Sequence, residues 1–211
     1  MSEPRSVADS VEEMQPGLYH YHVFDDRIDT GSDAYALVDA GRMVLVDPLP
    51  LDEAVADRLG TPEAIVIAVS SHQRSAWRVR KRSGARVHAP RDAPDLEAPA
   101  DAWFGDGDRL PGGLRAVHAP GPAATHHVLY LASGSGVLFL ADLVMRGGDG
   151  GGELRFLSDE HLSDPAAARR SARLLLEYRF DTLCFGHGRP LLRGGRQALV
   201  DLLQRDGGAD G

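Results

Sequence analysis

The chain has 211 residues, 43% of them apolar, which is enough for one large domain with a substantial core and excludes a fibrous or disordered class. A formal net charge of -8 excludes the broad basic face that a phosphate backbone requires, so no nucleic-acid partner is expected. A single cysteine, Cys184, excludes a disulfide within the chain, and its setting in the apolar run DTLCFG reads as a small buried hydrophobe.

No apolar run approaches the ~20 residues of a membrane span, and MSEPRSVADSVEEM lacks a charged-then-apolar leader pattern. A cytoplasmic protein with no membrane partner is expected. After a polar N-terminal arm, 1–15, the domain is placed at 16–205 and a disordered tail at 206–211. GLYHYHVF alternates, with Leu18, His20, His22 and Phe24 on one side, and reads as a strand. DAYALVDA and RMVLVDP form a hairpin turning at Ala40 and Gly41. LDEAVADRLG is a short helix closed by Gly60. Ala64 to Val69 is a continuous apolar run, the mark of a strand covered on both faces, and it ends at Ser70 and Ser71.

Ser75 to Ser83 reads as a helix stopped by Gly84, its basic run Arg78, Arg80, Lys81 and Arg82 forming a solvated face. ARVHAP, LRAVHAP, HHVLYLA and GVLFLADL are further strands, the last two joined by the Ser-Gly-Ser-Gly turn at positions 133 to 136. RGGDGGGE, 146–153, is rich in glycine and is expected to be a mobile lid over a cleft. Asp164 and Pro165 look like an N-cap and an N1 proline opening a helix through Tyr178. DTLCFG is the closing strand and Gly195 to Gln204 the last helix. Strands inside and helices outside imply a layered α/β fold.

The blocks YALVDAGRMVLVDP, AVSSHQRSAW, HAPGPAATHHVLYL, GVLFLADLV and DTLCFGHG resemble, in order, the landmarks of the metallo-β-lactamase superfamily, which includes glyoxalase II. The resemblance runs from about Tyr35 to Leu203 and implies an αββα four-layer sandwich. It also implies a site at one edge, where Ser71 to Trp77, Gly121 to His127, Asp142 and Gly186 to Gly188 converge. AVSSHQRSAW stands where the family writes T-H-x-H-x-D-H, so the metal motif is degenerate. By this resemblance Ser71 and Gln73 replace two first-metal histidines, Pro122 the third, and Ser75 and Ala76 the Asp and His of the second metal. Asp142 and His187 are retained, as the bridging carboxylate and the last histidine. Proline and alanine offer no ligand atom, and serine and glutamine are poor neutral donors for a metal that prefers imidazole, thiolate or carboxylate.

The leading expectation is therefore a pseudoenzyme or small-molecule-binding protein with no cofactor. Its cleft would be lined by Ser71, His72, Gln73, Arg74, Ser75, Trp77, Pro122 and His127. In that reading Asp142 pairs with His187, Arg74 or Arg78, and an Asp142→Asn change is tolerated or mildly stabilising. The alternative is a hydrolase of esters, thioesters or lactones with one zinc, iron or manganese ion on Asp142, His187 and a recruited histidine. Recruits are His72, His126, His127 and His161. A metal-free acid/base hydrolase using His187 and Asp142, with Ser71 or Ser75 as nucleophile, is the third. Bland roles stand beside these: Asp47 as a turn former or an acid orienting a site loop, Trp77 as packing, His20 and His22 as a pair far from the cleft.

Overall fold

Side-chain alternation along the strands decides the layering. In β4 (Arg42–Val46), Met43 and Leu45 point one way and Val44 and Val46 the other, and none of the four is more than 3% exposed, so the strand is covered on both faces. The computed structural model describes residues 3–147 and 152–207. Ahead of β4 come β1 (Glu12–Gln15), β2 (Leu18–Asp25) and β3 (Thr30–Asp39), and after it α1 (Glu53–Leu59), β5 (Thr61–Val66), α2 (Ala76–Ser83), β6 (Arg86–Pro90) and β7 (Ala102–Phe104). Next are β8 (Leu114–His118), β9 (His127–Leu131), β10 (Val137–Phe139), β11 (Met145–Arg146) and β12 (Leu154–Arg155). The chain closes with α3 (Pro165–Leu174), β13 (Thr182–Cys184) and α4 (Gly195–Gly207).

β1 to β7 form one sheet in sequence order, and a second sheet has the order β13-β10-β9-β8. Their inner faces meet through Tyr35, Val44, Val46 and Val66 on one side and Leu114, Leu129, Phe139 and Cys184 on the other. The outer face of the larger sheet, Met43, Leu45, Ile65 and Val87, packs against Ala76 of α2. Leu138, Val128 and Leu183 on the outer face of the smaller sheet pack against α3 and α4 through Ala168, Ala172, Leu199 and Leu202. This is the αββα sandwich that the resemblance implies.

Four strands, β1, β7 and the two-residue β11 and β12, were not legible in the pattern. Glu12–Gln15, read as part of the polar arm, pairs antiparallel with β2; its two glutamates are exposed on a sheet edge, where charge guards against pairing with another chain. β7 is only three residues long. The glycine-rich lid expected at 146–153 lies partly outside the described residues, which stop at 147 and resume at 152; β11 and β12 pair on either side of it. The expected tail at 206–211 falls largely outside them too, α4 running to Gly207. Among the described residues no helix is long and apolar enough to cross a membrane.

β3 carries the tie between the sheets that matters most for the site. The buried Tyr35 hydroxyl donates to the Phe185 carbonyl at 2.9 Å and accepts the Phe185 N–H at 2.9 Å, so it holds the end of β13 against the larger sheet. Tyr35→Phe strands a buried donor and a buried acceptor and is expected to cost about 2–3 kcal/mol, read as a lower urea midpoint at unchanged slope. A loss under about 0.5 kcal/mol would show that the tie contributes nothing net.

Candidate metal centre

The site is built where β4, β5, β10 and β13 end. Asp47 follows β4 at φ 48, a left-handed conformation that costs a non-glycine residue energy. Its Oδ1 accepts the Ala68 N–H at 2.7 Å, and its Oδ2 lies 2.9 Å from His72 Nδ1. The apolar run of β5 continues to Val69 and then tightens into a 3₁₀ turn, Ser70–Gln73, with His72 N–H donating to Val69 O at 2.9 Å. In such a turn successive side chains diverge by about 120°, not by the half-circle of a strand, so adjacent residues can address one target. Ser71 Oγ donates to Asp142 Oδ2 at 3.3 Å while His72 Nε2 sits 2.9 Å from Asp142 Oδ1.

Asp142 follows β10 after Ala141, another residue at positive φ (46°). Its backbone N–H donates to His126 Nε2 at 3.3 Å, and His126 Nδ1 is engaged by Ala119 O at 2.9 Å. His187 comes from the turn after β13; its Nδ1 lies 2.9 Å from Gly31 O and its Nε2 3.4 Å from Asp142 Oδ1. Gly186 has no alternative here, because a Cβ on it would lie 2.6 Å from His72 Cε1 and 2.9 Å from Ala141 O. That close approach brings the His72 and His187 rings edge to face, 5.8 Å apart. One ligand atom each from His72, Asp142 and His187 lies within 4.8 Å of the other two.

Asp142 Oδ1 is buried yet has no aligned hydrogen-bond partner among the described residues, although two imidazole nitrogens stand near it. A buried carboxylate oxygen with only imidazole nitrogens beside it is costly unless positive charge is supplied there. Three donors converging from imidazole and carboxylate are the protein donor set of a catalytic cation site. Both rings already use Nδ1, one on the Asp47 carboxylate and one on a backbone carbonyl, the arrangement that commits Nε2 to a metal. The residues therefore fit one cation.

Charge around the triad is heavily coupled. Burial opposes ionisation of Asp142, but His72 and His187 outweigh it and hold the carboxyl well below its usual range. Burial and Arg74 oppose a charge on His72, and the Asp142 and Asp47 carboxylates overcome them and raise its pKa. Arg74, at φ 30 and 3% exposed, donates through Nη1 to Asp33 O at 3.1 Å and to Asp47 O at 3.4 Å. His126 is neutral: burial pulls its pKa from 6.5 down to about 4. An unfolded His126 takes up a proton below 6.5 while the folded one resists until about 4, so the unfolded state binds more protons in that window. Stability is expected to fall by about 3 kcal/mol as pH drops through it, and a His126→Gln variant is expected to flatten that slope in urea unfolding.

The other residues singled out from sequence are outside the three-residue ligand group and have their own partners. Gln73 bonds the loop after β6, through Asp95 O at 3.0 Å and the Glu97 N–H at 2.8 Å, and takes the Trp77 indole N–H at 2.8 Å. Ser75 Oγ and Arg78 both engage Glu3 of the arm. His127 stacks edge-on against Phe104 at 5.2 Å, outside the triad, and the Pro122 carbonyl accepts Ser163 Oγ at 3.0 Å. His161 is exposed and bonds Ser158. His20 pairs with Asp33 at 2.6 Å. Asp33 and Gly31 went unnoticed in the sequence; the available signal was an acid inside the otherwise apolar stretch SDAYALV.

With this geometry in place, comparison with known proteins settles the class. A family model described as the metallo-beta-lactamase superfamily matches residues 11–205, and the chain belongs to that superfamily. No curated protein sequence matches. Among solved structures, the DIM-1 metallo-beta-lactamase superposes with a TM-score of 0.73 at 17% identity, over 95% of this chain and 99% of that one. The metallo-beta-lactamase of Pontibacter korlensis gives 0.72 at 16% identity, over 92% and 98%. FIM-1 from Pseudomonas aeruginosa, in a mono-zinc form, gives 0.72 at 13% identity, over 98% and 99%. At these identities the likeness is one of fold.

Proposed function

We propose that this chain is a hydrolase with a single-cation site formed by His72 Nε2, Asp142 Oδ1 and His187 Nε2, acting on an ester, thioester or lactone. The observation that carries the reading is the convergence of the two imidazole Nε2 atoms on the buried Asp142 Oδ1, with one ligand atom from each residue within reach of the other two. It favours a metal over the cofactor-free pseudoenzyme, whose support was the five substituted motif positions. His72 replaces the imidazole that Ser71 and Gln73 do not supply. A mixed imidazole and carboxylate set suits zinc, iron or manganese. Bound there, such an ion supplies an activated water and polarises an acyl oxygen.

The chain's own residues hold that arrangement. Asp47 keeps the His72 proton on Nδ1, and Gly31 O does the same for His187. Ser71 and His126 hold the Asp142 side chain and backbone in place. The mono-zinc form of FIM-1 is a counterpart for one ion on this fold. Testing uses a panel of aryl esters, thioesters, lactones and a β-lactam with protein loaded with zinc, iron(II) or manganese. Turnover of one class that vanishes with chelator and in His187→Ala is expected. Stoichiometric metal without turnover on any member would favour a small-molecule-binding protein.

A further inference from the structure

Asp33 in β3 has every polar group engaged, and three of the four meet the two segments that carry His72 and His187. Its N–H donates to Gly186 O at 2.9 Å and its Oδ2 accepts the Gly188 N–H at 2.7 Å, so it grips the turn on both sides of His187. Its carbonyl accepts Arg74 Nη1 at 3.1 Å, two residues beyond His72. Its Oδ1 lies 2.6 Å from His20 Nε2, and the two residues are 4% and 3% exposed. Gly188 sits at φ 110, a conformation that favours glycine. Two residues upstream, Gly31 O holds His187 Nδ1. A buried carboxylate is expensive, and one that is fully hydrogen-bonded and paired becomes a rigid support.

We propose that Asp33 is the positioning residue for His187. Its carboxylate, oriented by His20, fixes the Gly188 N–H and so aims His187 Nε2 at Asp142 and His72. The inference rests on the single-cation reading for its effect on metal, and on the ring geometry alone for its effect on His187.

Two readouts on the full chain test it: zinc affinity measured against a competing chelator, and the His187 tautomer in metal-free protein from ring ¹⁵N NMR. Asp33→Ala is expected to weaken zinc binding 10–100-fold, the usual cost of losing an outer hydrogen-bond partner. It is also expected to turn a single Nδ1–H tautomer into a mixture. Asp33→Asn, which can still accept the Gly188 N–H, is expected to lose less than about tenfold. Asp33→Glu keeps the charge but displaces the carboxylate, is expected to behave like alanine, and serves if the alanine variant does not fold. Asp52→Ala removes the cap of α1 and is expected to lower the melting temperature without moving either readout. Unchanged zinc affinity and an unchanged tautomer in folded Asp33→Ala or Asp33→Glu would overturn the proposal. If the parent protein takes no zinc but the tautomer still shifts, the hydrolase reading fails and this one stands.

Discussion

Asp142→Asn is expected to lower metal affinity by more than about 100-fold, beyond the loss that an outer partner causes. Asp142 is the only anionic donor in the triad, and its Oδ1 stands within 3.4 Å of both imidazole Nε2 atoms. An amide in its place keeps the shape and the Ser71 contact but removes the charge that draws a dication from water. Ligand-induced stabilisation makes the effect visible without an assay: at 100 times the Kd a metal adds about 2.7 kcal/mol to the folded state. The parent protein is therefore expected to melt at a higher temperature with zinc than with chelator, and the variant to show no difference. Under the cofactor-free reading the sign differs, since relieving a buried carboxylate leaves stability unchanged or slightly raised whether or not zinc is added.

Arg74→Met is expected to destabilise the fold by about 3–5 kcal/mol, the cost of removing one partner from a buried charge network. The methionine fills much of the volume but leaves Asp47, Asp142, Asp25 and Asp33 without the guanidinium whose charge they surround. It also withdraws the donor from the Asp33 and Asp47 carbonyls, both next to site carboxylates. Urea unfolding at neutral pH measures the loss, and zinc is expected to recover part of it by restoring positive charge beside Asp142. A change below about 1 kcal/mol, the scale of an exposed ion pair, would mean that the acids do not depend on Arg74.

Both substitutions fall in regions where sequence reading met different limits. Apolar continuity marked the β5 run, and the blocks around Asp142 and His187 were placed by resemblance, because strand ends and glycine turns leave strong local patterns. Motif register was harder: matching VSSHQRSAW to an alternating H-x-H pattern put Ser71 and Gln73 in the ligand positions and His72 between them. The 3₁₀ turn breaks that alternation, turning Ser71 and His72 together onto Asp142 and sending Gln73 to the loop at Asp95. The role of Asp33 went unread for another reason, although an acid in an apolar strand marked the position. Its partners, His20, Arg74, Gly186 and Gly188, are 13 to 155 positions away, and no local pattern encodes contacts across two sheets.

Elemental mass spectrometry decides whether one cation is held by His72, Asp142 and His187. Protein purified without added metal, then dialysed against zinc and freed of excess, is expected to carry one metal ion per chain, and His72→Ala and His187→Ala to carry substantially less. No retained metal in the parent protein, two ions per chain, or one ion that survives both substitutions would contradict the single-cation site.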